Sequence, residues 1–433
     1  YMKNRKALAL IAILALVAAA CGGSDGGSDD AVVEVETTEA PATTEAPTTT
    51  AAPAPASDPL ILASLMPLSG DLASLGPGIA LGAALAVEQI NAAGGINGQP
   101  VQLIEGDSGC DGAVALTSLN DVIAQGAQGV MGAACSGTSL AILDTAIAAE
   151  VVMVSPSNTS PQFTKIDKKG FYARTAPSDL LQGDVLASLL VEDGVQTVSI
   201  ISRADSYGRG LAEATAAAFE AAGGTVKTIV YHATDATEFT SEVTAVGKGG
   251  ADAIVGILFP ETGCGVLQPA FEQGLLDTPW YMTDGVKDAG LASLCGLGTA
   301  LDGFKGTAPG SAAGEAKDAF EAAYAEVSAD GSPTFIFAPQ AYDAVMLMAI
   351  SAAANGVTGP EIASGLVAAS SGGEKCIGVA CIALAADGVD VDYVGASGEI
   401  ELNAVGDPTA ATYDIWTTEG DTNPVLKSVD FGS

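Results

Sequence analysis

The stretch GVMGAACSGTSLAILDTAIAAEVVMVS (129–155) has two short apolar runs on either side of a longer segment with helical patterning. The runs GVMGA (129–133) and VVMVS (151–155) are typical of buried strands, and residues 138–149 between them are helix-like. Two strands joined by a helix of this length pair in parallel through a right-handed crossover. The stretch therefore predicts a βαβ unit of a parallel sheet.

The same alternation of strand and helix continues along most of the chain from Pro59. Further strands are predicted at 60–65, 101–105, 197–202, 225–231 and 251–258, and helix-like segments at 78–93, 113–125, 177–192, 208–222, 239–247 and 262–274. A single sheet holding all of these strands would be unusual, so we expect an α/β protein with two doubly wound lobes and parallel sheets. The similar phrases RTAPS (174–178) and TAPGS (307–311) are candidate hinges between the lobes.

The N-terminal segment is typical of an export signal. Residues 2–20 begin with basic side chains, continue with an apolar stretch and end in small residues before Cys21. The end of this segment resembles a bacterial lipobox, which implies a lipid on Cys21, with plain secretion as the alternative. Residues 22–57 are rich in Thr, Ala, Pro and Glu and have few large apolar side chains, so we expect a disordered linker.

The formal net charge of −36 argues against one class of partner. No Lys or Arg occurs between Lys6 and Lys165, whereas a protein that binds nucleic acid needs a basic face. We therefore expect no nucleic-acid partner, and an acidic surface that keeps the protein soluble. Of the seven cysteines, six remain after Cys21, and an even number in an exported chain predicts three disulfides.

The residue types give little support to an enzyme or a metal site. The single histidine, His232, stands at the end of a predicted strand, and a catalytic arrangement would have to use it or Cys135. Cys376 and Cys381 have no second Cys/His pair near enough in sequence to complete a zinc site. We expect no enzyme activity, no metal and no cofactor, and we keep an enzyme that uses Cys135 or His232 as the least favoured alternative.

Hydroxyl-rich turns follow both strands of the opening stretch. They are CSGTS (135–139) and SPSNTSP (155–161), and open α/β sheets bind ligands at such carboxyl ends of parallel strands. Free backbone N–H groups at a helix start, with the hydroxyls of Ser136 and Thr159, could hold a carboxylate without Arg or Lys. For each turn alone, the alternative is N-capping by Ser136 and ordinary turn chemistry.

Three longer segments resemble one protein family. They are PLSGDLASLGPGIALGAALAVEQINAAGGINGQPV (67–101), ISRADSYGRGLAEA (201–214) and TDGVKDAGL (283–291). Together with SPSNTSP they resemble the solute-binding proteins of ABC importers for branched-chain amino acids, over residues 59–416. The resemblance implies a type I periplasmic binding fold, in which two Rossmann-like lobes joined by three crossovers close on a ligand and present it to a membrane permease.

The expected organisation of the chain follows from the signal, the linker and this resemblance. A signal peptide covers residues 2–20, and the lipidated Cys21 with the linker covers 21–57. Lobe 1 is expected at 58–176 and 308–385, and lobe 2 at 177–307 and 386–433.

The resemblance also implies a set of ligand contacts. The set is Leu75, Ser136, Ser157, Thr159, Tyr207, Phe259 and Asp284. In the family, the positions of Ser136, the Ser157 backbone and Thr159 contact the ligand's carboxylate and amine. Asp284 matches an acidic residue that pairs with the α-ammonium, which suits a carboxylate in a closing cleft. Leu75 and either Leu258 or Phe259 would form an apolar wall.

The cysteines are explained partly by the resemblance and partly by counting. Relatives of the leucine-binding type bridge the positions that correspond to Cys110 and Cys135. Elimination and proximity then pair Cys264 with Cys295. They also pair Cys376 with Cys381.

The function expected from these observations is that of a receptor. We expect a monomer, anchored by lipid to the outer face of the cytoplasmic membrane, that captures an amino acid, branched-chain or otherwise aliphatic, and delivers it to an ABC permease. An alternative keeps the fold and changes the ligand to an amide, urea or an aromatic acid.

Overall fold

The structure is a computed structural model that describes residues 58–432. The predicted signal peptide, the lipid site at Cys21 and the linker lie outside the described residues. Within them, the predicted alternation of strands and helices forms two large sheets and one small one.

The first sheet is parallel throughout and contains the βαβ unit of the opening stretch. Its strands are β1 (Ile61–Met66), β2 (Gln102–Asp107), β3 (Gly129–Gly132), β4 (Val152–Ser155) and β5 (Tyr172–Arg174), in the order β2-β1-β3-β4-β5. The helices between them are α1 (Gly76–Ala92), α2 (Gly112–Ala124), α3 (Ser136–Ala148) and α4 (Gln162–Lys165). β3 and β4 are buried along their whole length, as expected for strands covered by helices on both faces.

The second sheet begins after the RTAPS segment. Its parallel strands are β6 (Thr197–Arg203), β7 (Thr225–His232), β8 (Ala253–Ile257), β9 (Trp280–Met282) and β10 (Lys305–Pro309). The helices before and between these strands are α5 (Asp179–Glu192), α6 (Ser206–Ala221), α7 (Thr240–Gly247), α8 (Pro260–Glu272) and α9 (Leu291–Leu294). Short 3₁₀ turns lie at Leu275–Asp277, Asp284–Val286 and Gly298–Leu301. β6 to β10 pair in parallel, which confirms the predicted α/β fold.

After β10 the chain forms helices that pack back on the first sheet. They are α10 (Glu315–Val327), α11 (Ala338–Asn355) and α12 (Gly359–Gly365). α11 is mostly apolar and is buried from Ala338 to Ala352 between α1, α12 and the strands β3 and β4. A helix of that composition belongs in a core rather than at a surface.

The remaining elements form a small sheet and complete the second sheet. They are β11 (Glu374–Ile377), α13 (Ala380–Ala386), β12 (Val391–Gly395), β13 (Gly398–Glu399), β14 (Ala411–Thr417) and β15 (Val425–Phe431). The second sheet has the order β15-β14-β10-β9-β8-β6-β7, and β14 and β15 join it antiparallel. The predicted parallel pairing therefore holds from β7 to β10, and a hairpin that was not predicted supplies the last two strands at this edge.

One expected lobe boundary also needs correction. The boundary at residue 385 separates β11 from β12, yet these two strands pair in parallel and β12 contacts α11. Residues 386–399 therefore lie with the helices that cover the first sheet, and the crossing to β14 comes at residues 400–410. RTAPS begins at the last residue of β5 and ends just before α5, and TAPGS begins inside β10.

Candidate ligand-binding site

The candidate site lies where strand ends of the two large sheets meet. From the first sheet, segments that follow β1, β3 and β4 contribute Leu75, Ser136 and Ser157. From the second sheet, segments that follow β6, β8 and β9 contribute Tyr207, Phe259 and Asp284. These side chains enclose a cavity of about 20 Å³. The carboxyl ends of parallel strands are the ordinary place for a ligand in α/β folds.

Thr159 is the one predicted ligand residue that does not line this cavity. It is fully buried, and its side chain lies next to the carboxyl group of Asp179. Its carbonyl accepts a hydrogen bond of 2.8 Å from the backbone N–H of Asp179. Of the two candidates for the apolar wall, Phe259 lines the cavity and Leu258 is buried outside it.

The start of α3 presents backbone donors to the cavity. The N-cap residue is Cys135, whose side chain makes no capping hydrogen bond, so Ser136 is the first helical residue rather than the cap. The first N–H groups of a helix have no partner within it and carry a partial positive charge. With the hydroxyl of Ser136 at the same point, this helix start can receive an anionic group.

The SPSNTSP turn is held against the end of β3 by its own side chains. Asn158 donates hydrogen bonds of 3.0 and 2.8 Å to the carbonyls of Ala133 and Ala134. The buried guanidinium of Arg174 donates bonds of 3.1 and 3.0 Å to the carbonyls of Asn158 and Ser160. The turn that carries Ser157 is therefore fixed from both sides.

Asp284 is a buried carboxylate in the wall of the cavity, 3% exposed. One of its oxygens accepts hydrogen bonds of 2.8 Å from the Gln182 amide and 3.0 Å from the Tyr207 hydroxyl. Burial raises the pKa of Asp284 to about 6, although these two hydrogen bonds act in the opposite direction. The group is therefore ionised at neutral pH but close to taking up a proton.

A second carboxyl group lies close to Asp284. Asp179 is the first residue of α5 and is fully buried, and no cationic side chain of the described residues forms an ion pair with it. Burial, and after it the charge of Asp284, raise the pKa of Asp179 well above its ordinary value. No Lys or Arg of residues 58–432 lines the cavity, so the uncompensated negative charge there favours a cationic ligand group.

Sequence reasoning missed Asp179 and Gln182. In sequence they follow Ser178, which accepts a hydrogen bond from the backbone of Leu180 and caps α5. An acidic residue directly after a serine cap is common at helix starts and carries no mark of burial. The proximity of Asp179 to Asp284, 105 residues away in the numbering, is visible only in the fold.

Two aromatic rings form one side of the cavity. Tyr207 and Phe259 stack with ring centroids 5.3 Å apart and planes inclined by 12°. The guanidinium of Arg203 lies 3.9 Å from the centroid of the Phe259 ring. The ring of Phe259 therefore contacts Tyr207 in the cavity wall and also the buried guanidinium of Arg203.

Leu72 and Phe337 complete the apolar wall in an uncommon backbone conformation. Both line the cavity and are buried, and their φ angles are +62° and +61°. Large side chains rarely adopt this left-handed region, and the surrounding structure must hold them there. No local sequence signal marks either residue.

The sequence of the chain matches the model of one protein family. The model of the periplasmic binding protein family matches residues 59–375. The chain belongs to this family. The family is one of solute-binding receptors, which is the class predicted from the resemblance.

Relatives of this periplasmic binding protein have names that concern amino acids. An amino acid binding protein of Pseudomonas aeruginosa is 34% identical over 53% of this chain and 62% of its own length. A leucine-, isoleucine-, valine-, threonine- and alanine-binding protein of the same species is 29% identical over 68% of this chain and 78% of its own length. The chain thus spans less than two thirds of the first of these relatives.

Solved structures share the fold of this periplasmic binding protein at lower identity. The leucine-binding protein LivK of Thermotoga maritima has a TM-score of 0.71 at 20% identity, over 86% of this chain and 98% of its own. LivJ of Streptococcus pneumoniae, solved with isoleucine, has a TM-score of 0.72 at 22% identity, over 87% and 100%. A solute-binding protein of R. palustris, solved with benzoate, has a TM-score of 0.70 at 18% identity, over 87% and 98%.

The three predicted cysteine pairs are all at bonding distance. The Cα atoms are 5.5 Å apart for Cys110 and Cys135, 4.9 Å for Cys264 and Cys295, and 5.4 Å for Cys376 and Cys381. The first pair joins the segment after β2 to the N-cap of α3 and thus fixes the helix start beside Ser136.

His232 lies apart from the cavity. It ends β7, is 1% exposed, and packs edge-on against Phe239 with ring centroids 5.1 Å apart. Burial lowers the pKa of His232 below its ordinary value. Separately, no helix within residues 58–432 combines the length and the apolar character needed to cross a membrane.

Proposed function

We propose that this protein is the extracytoplasmic receptor of an ABC importer and captures a small aliphatic amino acid between its two lobes. The single observation that carries the proposal is the buried carboxylate of Asp284, which lines a cavity without a cationic side chain and has the buried carboxyl group of Asp179 next to it. A ligand ammonium would supply the missing positive charge. The names of the relatives, which concern leucine, isoleucine and valine, support the same ligand class.

The other polar end of an amino acid would bind on the first sheet. The N–H groups at the start of α3, with the hydroxyl of Ser136 and the backbone of Ser157, form a cradle for a carboxylate without any basic residue. The carboxylate and ammonium of one ligand would then bridge the two lobes, since Asp284 follows a strand of the second sheet.

The apolar side chain would contact Leu72, Leu75, Ile79 and Phe337. Each methylene that leaves water against such a wall contributes about 0.8 kcal/mol. A cavity of about 20 Å³ is far smaller than the several hundred Å³ of an ordinary ligand pocket. Entry of an amino acid therefore requires the lobes to separate, which the crossing segments between the sheets allow.

An aromatic acid is the second candidate, because solute-binding proteins of similar fold were solved with benzoate and 4-hydroxybenzoate. Such a ligand brings a negative charge and no ammonium. It would meet the carboxylate of Asp284 in the cavity wall without a counter-charge, so the electrostatics of this cavity favour the amino acid. Amides and urea are neutral and would leave the same carboxylate without a cation.

Calorimetry with leucine, isoleucine and valine tests the proposal, and thermal shift with benzoate, acetamide and urea tests the alternatives. We expect binding of at least one aliphatic amino acid, and its loss in Asp284→Ala. Undiminished affinity in that variant would contradict the role of Asp284. Stabilisation by benzoate or urea alone would replace the proposed ligand class.

The remaining expectations for the whole protein belong to the same proposal. A lipid on Cys21 would anchor the receptor to the outer face of the cytoplasmic membrane, and the permease subunits of the importer would receive the ligand. In that exported setting we infer that all three cysteine pairs are oxidised and that the receptor acts as a monomer. Metabolic labelling with a palmitate analogue, with Cys21→Ala as control, tests the anchor.

A further inference from the structure

We propose that an ion pair between Asp71 and Arg203 is a latch that holds the two lobes together at the mouth of the ligand cavity. Asp71 lies in the loop between β1 and α1, and Arg203 is the last residue of β6. This inference rests on the proposed function, because the latch would regulate the ligand site proposed above. Neither Asp71 nor Arg203 lines the cavity itself.

Arg203 is a buried cation with partners in both lobes. A terminal nitrogen of its guanidinium lies 2.8 Å from a carboxylate oxygen of Asp71. Within the second lobe, its Nε donates to Asp205 at 2.9 Å and another nitrogen donates to the Thr262 hydroxyl at 3.2 Å. Arg203 is 2% exposed, so these bonds form in a largely water-free environment where charge interactions are strong.

The arrangement allows the lobes to separate at low cost. When they part, Arg203 keeps Asp205 and Thr262, which are both on its own side of the cleft. Asp71 is already 24% exposed as a side chain and would return to water. Neither charge is left buried and unpaired, which is the condition that makes the loss of a buried ion pair expensive.

A second contact across the cleft adjoins the ion pair. The backbone N–H of Leu72 donates a hydrogen bond of 3.0 Å to the carboxylate of Glu261, in the first turn of α8. The φ of +62° at Leu72 turns this N–H toward Glu261 while the Leu72 side chain lines the cavity. The same short segment thus supplies the latch, a cross-cleft hydrogen bond and part of the ligand wall.

Phe259 connects the latch to the cavity. Its ring lies against Arg203 at 3.9 Å on one side and stacks with Tyr207 in the cavity wall. A ligand that fixes the Phe259 ring therefore also fixes the guanidinium in the position that Asp71 meets. Of the ion pairs in residues 58–432, this one connects the β1–α1 loop with the second sheet.

Hydrogen exchange of the ligand-free protein tests the latch directly, with Asp71→Asn compared against Asp144→Asn. Asp144 is an exposed residue of α3, so its variant has the same change of charge away from the latch. We expect faster exchange in Asp71→Asn at the Leu72 amide and in the segment 200–208, and an unchanged core of the first sheet. Equal exchange in the wild type and Asp71→Asn would overturn the proposal.

Binding measurements then test whether the latch controls ligand release. With an amino acid that binds the wild type, we expect Asp71→Asn to raise Kd about tenfold, mainly through faster dissociation, with Asp71→Glu closer to the wild type. The melting temperature of the ligand-free variant should change little, which separates the latch from a role in folding. An unchanged dissociation rate would also contradict the latch.

The two proposals fail in different ways. If no aliphatic amino acid binds the wild type, the proposed function is wrong, and the exchange experiment still decides the latch because it uses no ligand. If amino acids bind but neither exchange nor dissociation differs in Asp71→Asn, the latch is wrong and the proposed function stands.

Discussion

The hydroxyl of Tyr207 lies 3.0 Å from a carboxylate oxygen of Asp284 and 2.9 Å from the hydroxyl of Thr283. Burial, and after it the charge of Asp284, raise the pKa of Tyr207 well above its ordinary value. Tyr207 therefore stays protonated and acts as a donor to Asp284 throughout the physiological range. It orients the carboxylate that would meet a ligand ammonium.

Tyr207→Phe should weaken amino-acid binding about tenfold, because it removes one hydrogen bond to a buried carboxylate and keeps the ring stack on Phe259. Calorimetry at neutral pH measures the effect. Tyr231→Phe, on β7 and outside the cavity wall, is the control and should bind as the wild type does. Equal affinities in all three proteins would mean that Tyr207 does not orient Asp284.

Amino-acid affinity should fall as the pH decreases through about 6, because an ammonium needs Asp284 ionised and the pKa of Asp284 is raised to about 6. Below that value we expect Kd to rise by up to tenfold per pH unit. Titration calorimetry between pH 5 and 8 in one buffer series measures the trend. In Asp284→Asn the weak remaining affinity should lack this pH dependence.

The contribution of Asp284 to the stability of the ligand-free protein should increase as the pH decreases, which is opposite to the trend in affinity. A raised pKa in the folded state means that protonation of Asp284 favours folding. Its contribution is fully present below the ordinary value of 3.8 and is lost as the pH rises through about 6. At pH 7.5, Asp284→Asn should therefore melt at a higher temperature than the wild type, and this gain should shrink at pH 5.

Loss of the Cys110–Cys135 pair should destabilise the protein by roughly 3 to 4 kcal/mol in the chain-entropy model, because the pair closes a loop of 25 residues. It should also weaken ligand binding, since Cys135 is the N-cap of α3. Urea unfolding of the double serine variant measures the first effect and calorimetry the second.

The Cys376–Cys381 pair provides the matched control for that measurement. It closes a loop of five residues and should contribute about 2 kcal/mol, without a change in affinity. Equal destabilisation by the two double variants, with affinity kept in both, would contradict the role given to Cys135.

Asp407→Asn should destabilise the protein by about 3 to 5 kcal/mol. Asp407 accepts a hydrogen bond of 2.9 Å from Arg174 and lies 3.6 Å from the Lys168 ammonium, and both cations are buried. Burial is the largest single influence and acts to raise the pKa of Asp407, but the charge and hydrogen bond of Arg174, the hydrogen bond of Thr164 and the charge of Lys168 together hold the pKa below its ordinary value. Without this carboxylate two cations face each other in the interior.

Urea unfolding measures this destabilisation, with Glu192→Gln as the control. Glu192 pairs with Lys427 on the surface, where loss of an ion pair costs at most about 1 kcal/mol. Because Arg174 also holds the carbonyls of Asn158 and Ser160, Asp407→Asn should weaken ligand binding as well. A loss of stability no larger than that of Glu192→Gln would show that Lys168 and Arg174 do not depend on Asp407.

The local sequence was sufficient for the α/β class and for four of the five strands of the first sheet; β5 (Tyr172–Arg174) was not predicted. Short apolar runs such as 151–155 and helix-like segments such as 138–149 have periods that the backbone itself imposes, so they predict elements without knowledge of neighbours. The same reasoning placed the turns that carry Ser136 and Thr159 at adjacent strand ends, whereas Ser157, which lines the cavity in place of Thr159, came from the family resemblance. The antiparallel hairpin of β14 and β15 was not predicted, because pairing direction depends on the route of the chain and not on side-chain period.

Only the tertiary structure brought Asp179 beside Asp284 and paired Asp71 with Arg203. It also placed Leu72 and Phe337 together in the wall of the cavity. Each of these relationships joins residues that are far apart in sequence, and none carries a local signal. Periodicity reports which face of an element is apolar. Burial of a charge, and the partner that compensates it, are set by which elements the fold places together, and that information lies in no single segment of the sequence.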